Sequence, residues 1–161
     1  MPTTQREGPV TLSVLDRLVD LEPERKLEPA LTRAQSVRAL KAALRRDLEW
    51  LLNSRRTIEE SPASLKELAR SLYNYGLPDV SSLYLRSTKD QAFLLEAIKT
   101  AIDFFEPRLL NIKVTLESAA DDKRVIRFAI EGLLRMDPAP EQVFFDTVLE
   151  PMSGQYQVKG S

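Results

Sequence analysis

The strongest constraint on the fold of this 161-residue chain is a change of apolar period at Pro107. Before it, Leu94, Ile98, Ala101, Ile102 and Phe105 recur at the three- and four-residue spacing of one helix face. After it, "LLNIKVTLE" alternates Ile112, Val114 and Leu116 with Asn111, Lys113, Thr115 and Glu117, the period of a half-buried strand. One segment cannot satisfy both periods. The spacing therefore predicts a helix over 89–105, stopped by a proline that has no backbone N–H to continue it, and a strand directly afterwards. The junction reads "FFEPRL", residues 104–109. Glu106 sits at the negative end of the helix dipole, where a cation is favoured, and Arg108 follows two residues later. The pair reads as an internal clamp, a docking site for a partner, or half of a catalytic carboxylate pair.

The rest of the chain can be placed around that junction. "VIRFAIEGLLRM" sets Ile126, Phe128, Ile130, Leu134 and Met136 on one face and Arg127, Glu131 and Arg135 on the other. "SAADDK" reads as a turn before it and "DPAP" as a break after it. "QVFFDTVLE" is then a third strand, and "QYQV" after Gly154 a short fourth. Upstream, Val37, Leu40, Leu44, Leu48, Leu51 and Leu52 form one helical stripe over 36–53. A short helix is expected over 65–72, before a break at Gly76, Pro78 and Asp79. Thr88 and Gln91 fit a capping box for the helix that ends at Phe105. Tyr73, Tyr75 and Tyr84 either line a pocket or cap the core. Helices first and an antiparallel meander second make an α+β fold, with N-terminal helices on one face of a three- to four-stranded sheet. Residues 31–161 form that single domain. Residues 1–30 read as a flexible segment with one short helix, in which Leu12, Leu15, Leu18 and Val19 are apolar and Ser13 is a candidate cap. The proline-containing "LEPERKLEP" sets it apart, so it either packs back on the core or docks in a partner's groove.

Composition removes most chemistry. The chain has no cysteine and no histidine, which excludes disulfides, Cys- or His-ligated metals and nucleophiles activated by histidine. With five glycines there is little material for a phosphate-binding loop. The formal net charge of -1 provides no global attraction to nucleic acid. The basic patch in "ALRRDLEWLLNSRR" is interrupted by Asp47 and Glu49 and reads as a solvated or protein-contacting helix face. "MPTTQREGPVTL" lacks an apolar signal core, and no run reaches the length of a membrane span. A cytoplasmic protein without cofactor, metal or membrane insertion is expected. The one remaining catalytic route is a carboxylate pair, with Glu106 as general acid and Asp79, Asp103 or Glu117 as partner. Arg108 argues against it, because a guanidinium favours the ionised carboxylate and a general acid must stay protonated.

Several stretches together resemble a known family. "FFEPRLLNIKVTL" is similar to the Glu-Pro-Arg signature of TssE, a wedge subunit of the bacterial type VI secretion baseplate. "SVLDRLVD", "VRALKAALRRDLEWLLNSRR", "YNYGLPDVSSL" and "PEQVFFDTVLEPMSGQYQV" match in the same order. The resemblance runs from Leu12 to Val158. The family is related to the lysozyme-like wedge protein of contractile phage-tail baseplates. The resemblance implies a structural protein that binds the wedge subunits TssF and TssG and helps initiate assembly of contractile sheath subunits. It implies no peptidoglycan hydrolysis, so a lysozyme-like glycosidase using Glu106 is the alternative reading. Glu106, Pro107 and Arg108 correspond to the signature needed for assembly, and Leu12, Leu15, Leu18 and Val19 are the further candidates for partner binding.

Overall fold

A computed structural model describes residues 8–19, 23–24, 30–59, 62, 64–69, 71–80, 87–117, 126–150 and 153–160. Most of the proposed linker over 21–29, Tyr84 and the turn over 118–123 lie outside them, as does much of the segment expected to be flexible at the N-terminus. The helices are α1 (Val14–Leu18), α2 (Arg33–Asn53), α3 (Lys66–Ala69) and α4 (Thr88–Phe105), with a 3-10 turn at Leu72–Asn74. The strands are β1 (Leu109–Glu117), β2 (Ile126–Leu134), β3 (Glu141–Glu150) and β4 (Gln155–Gly160).

Local hydrogen bonding explains where the helices begin. α2 starts three residues ahead of the expected position because Thr32 and Gln35 form a reciprocal cap. The Thr32 Oγ1 accepts from the Gln35 N–H at 3.3 Å, and the Thr32 N–H donates to Gln35 Oε1 at 2.9 Å. Ser36, expected at the start, is buried inside the first turn and accepts the Val10 N–H at 2.9 Å. α4 is capped by Ser87, whose Oγ accepts from the Asp90 N–H. Thr88, read from sequence as the cap, is the first helical residue instead. The short helix expected over 65–72 is reduced to Lys66–Ala69. Ser71 then caps the 3-10 turn by accepting the Tyr73 N–H.

The strands form one antiparallel sheet in the order β1-β2-β3-β4. Its inward residues include Phe128, Ile130, Leu134, Val143, Phe145, Leu149, Tyr156 and Val158. The helices cover that face, α4 beside β1 and α2 beside β4. Leu40, Leu44, Leu48, Leu51 and Leu52 of α2 meet Leu94, Ile98 and Ile102 of α4 in the same core. Both helices therefore follow the 3.6-residue stripe that their sequences carry. The β1 strand departs from simple alternation. Leu110 pairs with Leu133 and Lys113 with Glu131, so Asn111 and Ile112 together face Gly132. Asn111 has φ of 53° and makes the extra residue of a β-bulge. The bulge turns Ile112 inward, where it is 7% exposed. Gly132 leaves room for this, since a Cβ there would lie 3.3 Å from the Leu110 carbonyl oxygen and 3.4 Å from a Leu109 methyl.

Gly76 joins the irregular segment to the end of α2. Its φ is 104°, and a Cβ would stand 2.3 Å from the Ser54 carbonyl oxygen. That close approach allows the Leu77 N–H to reach the same carbonyl at 2.9 Å and the Arg56 N–H to reach the Leu77 carbonyl at 3.0 Å. Gly76→Ala combines a left-handed backbone with a backbone clash. It is expected to cost at least about 2 kcal/mol and to lower Tm by about 4–8 °C in a calorimetric melt.

Candidate functional site

The junction marked by Pro107 is a tight corner. The Glu106 N–H ends α4 by donating to the Ile102 carbonyl at 2.9 Å, and its own carbonyl accepts the Leu109 N–H at 3.1 Å. Residues 106–109 thus form a β-turn with Pro107 at its second position, where a fixed φ is favoured. The Arg108 carbonyl then accepts the Arg135 N–H at 2.8 Å, so the turn continues directly into the sheet.

This geometry points Glu106 and Arg108 to the same side. Arg108 Nε donates to Glu106 Oε1 at 2.6 Å, and Nη2 donates to Oε2 at 2.5 Å, a two-point fork. The Arg108 backbone N–H adds a longer bond to Oε1 at 3.3 Å. Nη2 also donates to Asp47 Oδ2 at 2.6 Å, from the middle of α2. Asp47 Oδ1 accepts from Arg46 Nε at 3.0 Å and Nη2 at 2.8 Å. Arg46 Nη2 donates in turn to Asp16 Oδ1 of α1 at 2.7 Å. Ser13 completes the series by donating its Oγ proton to Asp16 Oδ2 and accepting the Asp16 N–H, which caps α1 as expected. Three carboxylates and two guanidinium groups therefore alternate from the corner, across α2, to the N-terminal helix.

Burial gives this series its energetic weight. Glu106 is 5% exposed beneath the C-terminal end of α4, where neither solvent nor the helix dipole stabilises a carboxylate. Arg108 supplies what the position lacks. Its pKa is raised, first by the hydrogen bonds to Glu106, which with the Glu106 charge and Asp47 outweigh the opposing effect of burial. At Asp16, burial alone would raise the pKa. The hydrogen bonds from Ser13 and Arg46 and the charges of Arg46 and Arg108 more than offset it, and hold the carboxyl below its ordinary value. Tyr75 packs edge-on against Phe105 with ring centres 5.2 Å apart, and its hydroxyl pKa is raised by burial and by the charges of Asp47 and Glu106.

The structure divides the residues singled out from sequence. Glu106 and Arg108 meet. Pro107 is exposed on the turn between them. Leu12 precedes α1 and packs partly against the core, so it does not share a stripe with the other apolar residues of its segment. Leu15, Leu18 and Val19 are exposed, as is Val14. Of the carboxylates weighed as partners for Glu106, Asp79 pairs with Arg55 at 3.0 Å, while Asp103 and Glu117 are exposed. The carboxylate that shares Arg108 is Asp47, which had read only as an interruption of a basic patch. Its signal in the sequence is an acid set directly beside Arg46 in mid-helix. Tyr75 joins the core margin, and the cleft of about 400 Å³ nearby is lined instead by Arg56, Asn74, Phe93, Thr100 and Phe104. Among the described residues, no acidic cluster is arranged to hold a metal ion.

Two outcomes are expected. Arg108→Ala leaves Glu106 buried without its partner. Because Arg108 itself is partly exposed, the cost falls at the low end of the buried-pair range, about 3 kcal/mol, or a fall in Tm of about 6–12 °C. The second concerns acid. Asp16 has a folded-state pKa below its ordinary value, so its contribution to stability is present above that ordinary value and is lost as pH falls through the lowered one. Trp50 lies 5.0 Å beneath the Arg46 guanidinium and is the single tryptophan. Its emission should stay constant from neutral pH to about pH 5 and change only in stronger acid. Asp16→Asn should abolish that acid step.

Comparison with known proteins places the chain. No curated protein and no solved structure shows a significant match to it. The family model described as baseplate wedge protein gp25 matches residues 38–139. That span holds most of α2, all of α4, β1 and β2, and therefore Arg46, Asp47 and the Glu106–Pro107–Arg108 corner, whereas α1, β3 and β4 lie outside it. The match covers more than half of the sequence, and the chain belongs to the baseplate wedge protein gp25 family, the family of TssE and of phage baseplate wedge proteins.

Proposed function

We propose that this chain is a structural subunit of a cytoplasmic type VI secretion baseplate wedge, which binds TssF and TssG and helps initiate assembly of the contractile sheath. The family supports the baseplate role. The observation that carries the structural reading is the occupation of both Glu106 carboxylate oxygens by Arg108. A carboxylate held in that fork accepts hydrogen bonds and stabilises a corner. A general acid for glycoside cleavage would have to be protonated and reach a glycosidic oxygen, and this one is buried and clamped. Intact cell wall is the expected result when purified peptidoglycan is incubated with the protein.

The second support is α1. It spans Val14–Leu18 and buries no residue, while Leu15 is 53% and Leu18 76% exposed. An isolated helix this short is marginal in water, so its apolar side is stable only against something else. An apolar groove on a wedge subunit would cover it. Replacing Leu15 and Leu18 together by Asp should leave Tm nearly unchanged, since exposed positions contribute within about 0.5 kcal/mol. Co-purification with TssF and TssG should fall at least about tenfold, as for loss of an interface anchor. Undiminished recovery of both subunits would move the contact away from α1.

A further inference from the structure

We infer that Asp47 and Arg46 are positioning residues, which carry the hold of the corner from Arg108 to Asp16 and so fix the pose of α1. The geometry is specific. Asp47 divides its oxygens, Oδ2 to Arg108 and Oδ1 to Arg46. Arg46 Nη2 is shared between Asp47 Oδ1 and Asp16 Oδ1. Trp50 stacks against the same guanidinium and limits where it can lie. Each cation thus stands between two anions, and moving one changes the field at the next.

The anchoring of α1 is what makes this series consequential. No residue of α1 is buried as a whole, yet the Asp16 side chain is only 8% exposed. The helix is therefore held on α2 by its acid and presents its leucines outward. The bond from Val10 to Ser36 and the packing of Leu12 hold the chain leading into α1 but do not set the rotation of the helix about its own axis. The charge of Arg108 contributes to lowering the Asp16 pKa, so the corner is felt at α1. Asp16 lies outside the span matched by the family, while Arg46, Asp47 and Arg108 lie inside it. The series joins the family-matched span to the N-terminal segment that lies outside it.

Amide hydrogen exchange on the full chain tests this. The amides of Arg17 and Val19 report α1, since they donate to the Ser13 and Leu15 carbonyls. Asp47→Asn alters a side chain that, among the described residues, accepts hydrogen bonds from Arg46 and Arg108. It should speed exchange of the α1 amides roughly tenfold while β2 and β3 stay protected. Asp47→Glu, which keeps the charge, should restore most of the protection. Unchanged exchange in Asp47→Asn, with fast exchange in Arg46→Gln, would overturn the inference by showing that Arg46 alone holds α1. So would α1 amides without protection in the unmodified chain. If Asp47→Asn also loosens β2 and β3, a double-mutant cycle of Arg108→Lys with Asp16→Asn decides, read as Tm. Coupled shifts support the series, and additive shifts, the rule for independent sites, overturn it. This inference rests on the proposed docking role only for its purpose. Loosened α1 amides with undiminished recovery of TssF and TssG would leave the series standing and remove the docking role.

Discussion

A carboxylate buried under the negative end of a helix needs a cation within hydrogen-bonding reach, and in this protein Arg108 meets that need for Glu106. The requirement explains the local sequence. Pro107 ends α4 and sets the turn, so that the residues on either side of it can face one another across two positions. The same turn delivers Arg108 into the first rung beside β2, through the bond from Arg135. Helix end, turn and strand start are thus secured by a single ion pair. The choice of arginine is also explained, since only a planar fork can occupy both oxygens of Glu106 and still donate to Asp47.

The corner organises the layers as well as the turn. α4 lies beside β1 because the corner allows only a short, sharp connection between them. α2 lies beside β4, where the Asn53 amide bonds the backbone N–H and carbonyl of Tyr156, each at 2.9 Å. That side chain takes the place of a neighbouring strand at one point along the β4 edge. Asp47 ties α2 to the corner through Arg108. The polar contacts therefore sit at the margins of an apolar core, where they select one arrangement of packed elements. The apolar burial itself supplies most of the stability.

Much of the fold was legible because period and turn chemistry are local. The stripes of α2 and α4, the alternation in β2 and β3, and the short β4 all follow from residue spacing. Helix starts were less legible, since Thr32, Ser87 and Thr88 all carry capping hydroxyls and only the three-dimensional path of the preceding chain decides which is used. The bulge at Asn111 was hidden for a related reason. Ile112 fits the inward face of a regular strand, but Leu109 and Ile112 can both point inward only if one extra residue lies between them.

The site divides along the same line. The sequence by itself determined that histidine and cysteine chemistry is excluded, that a helix gives way to a strand at Pro107, and that a glutamate and an arginine flank that point. These are properties of composition and of neighbours along the chain. Only the tertiary structure decided that Glu106 is buried, that Asp47 shares its arginine from 61 positions away, and that Asp16 reaches Arg46 across 30. It also decided that Leu12 turns inward while Leu15 and Leu18 remain outside. Burial and long-range charge pairing depend on which surfaces the packed core brings together, and no pattern of spacing along the chain encodes that directly.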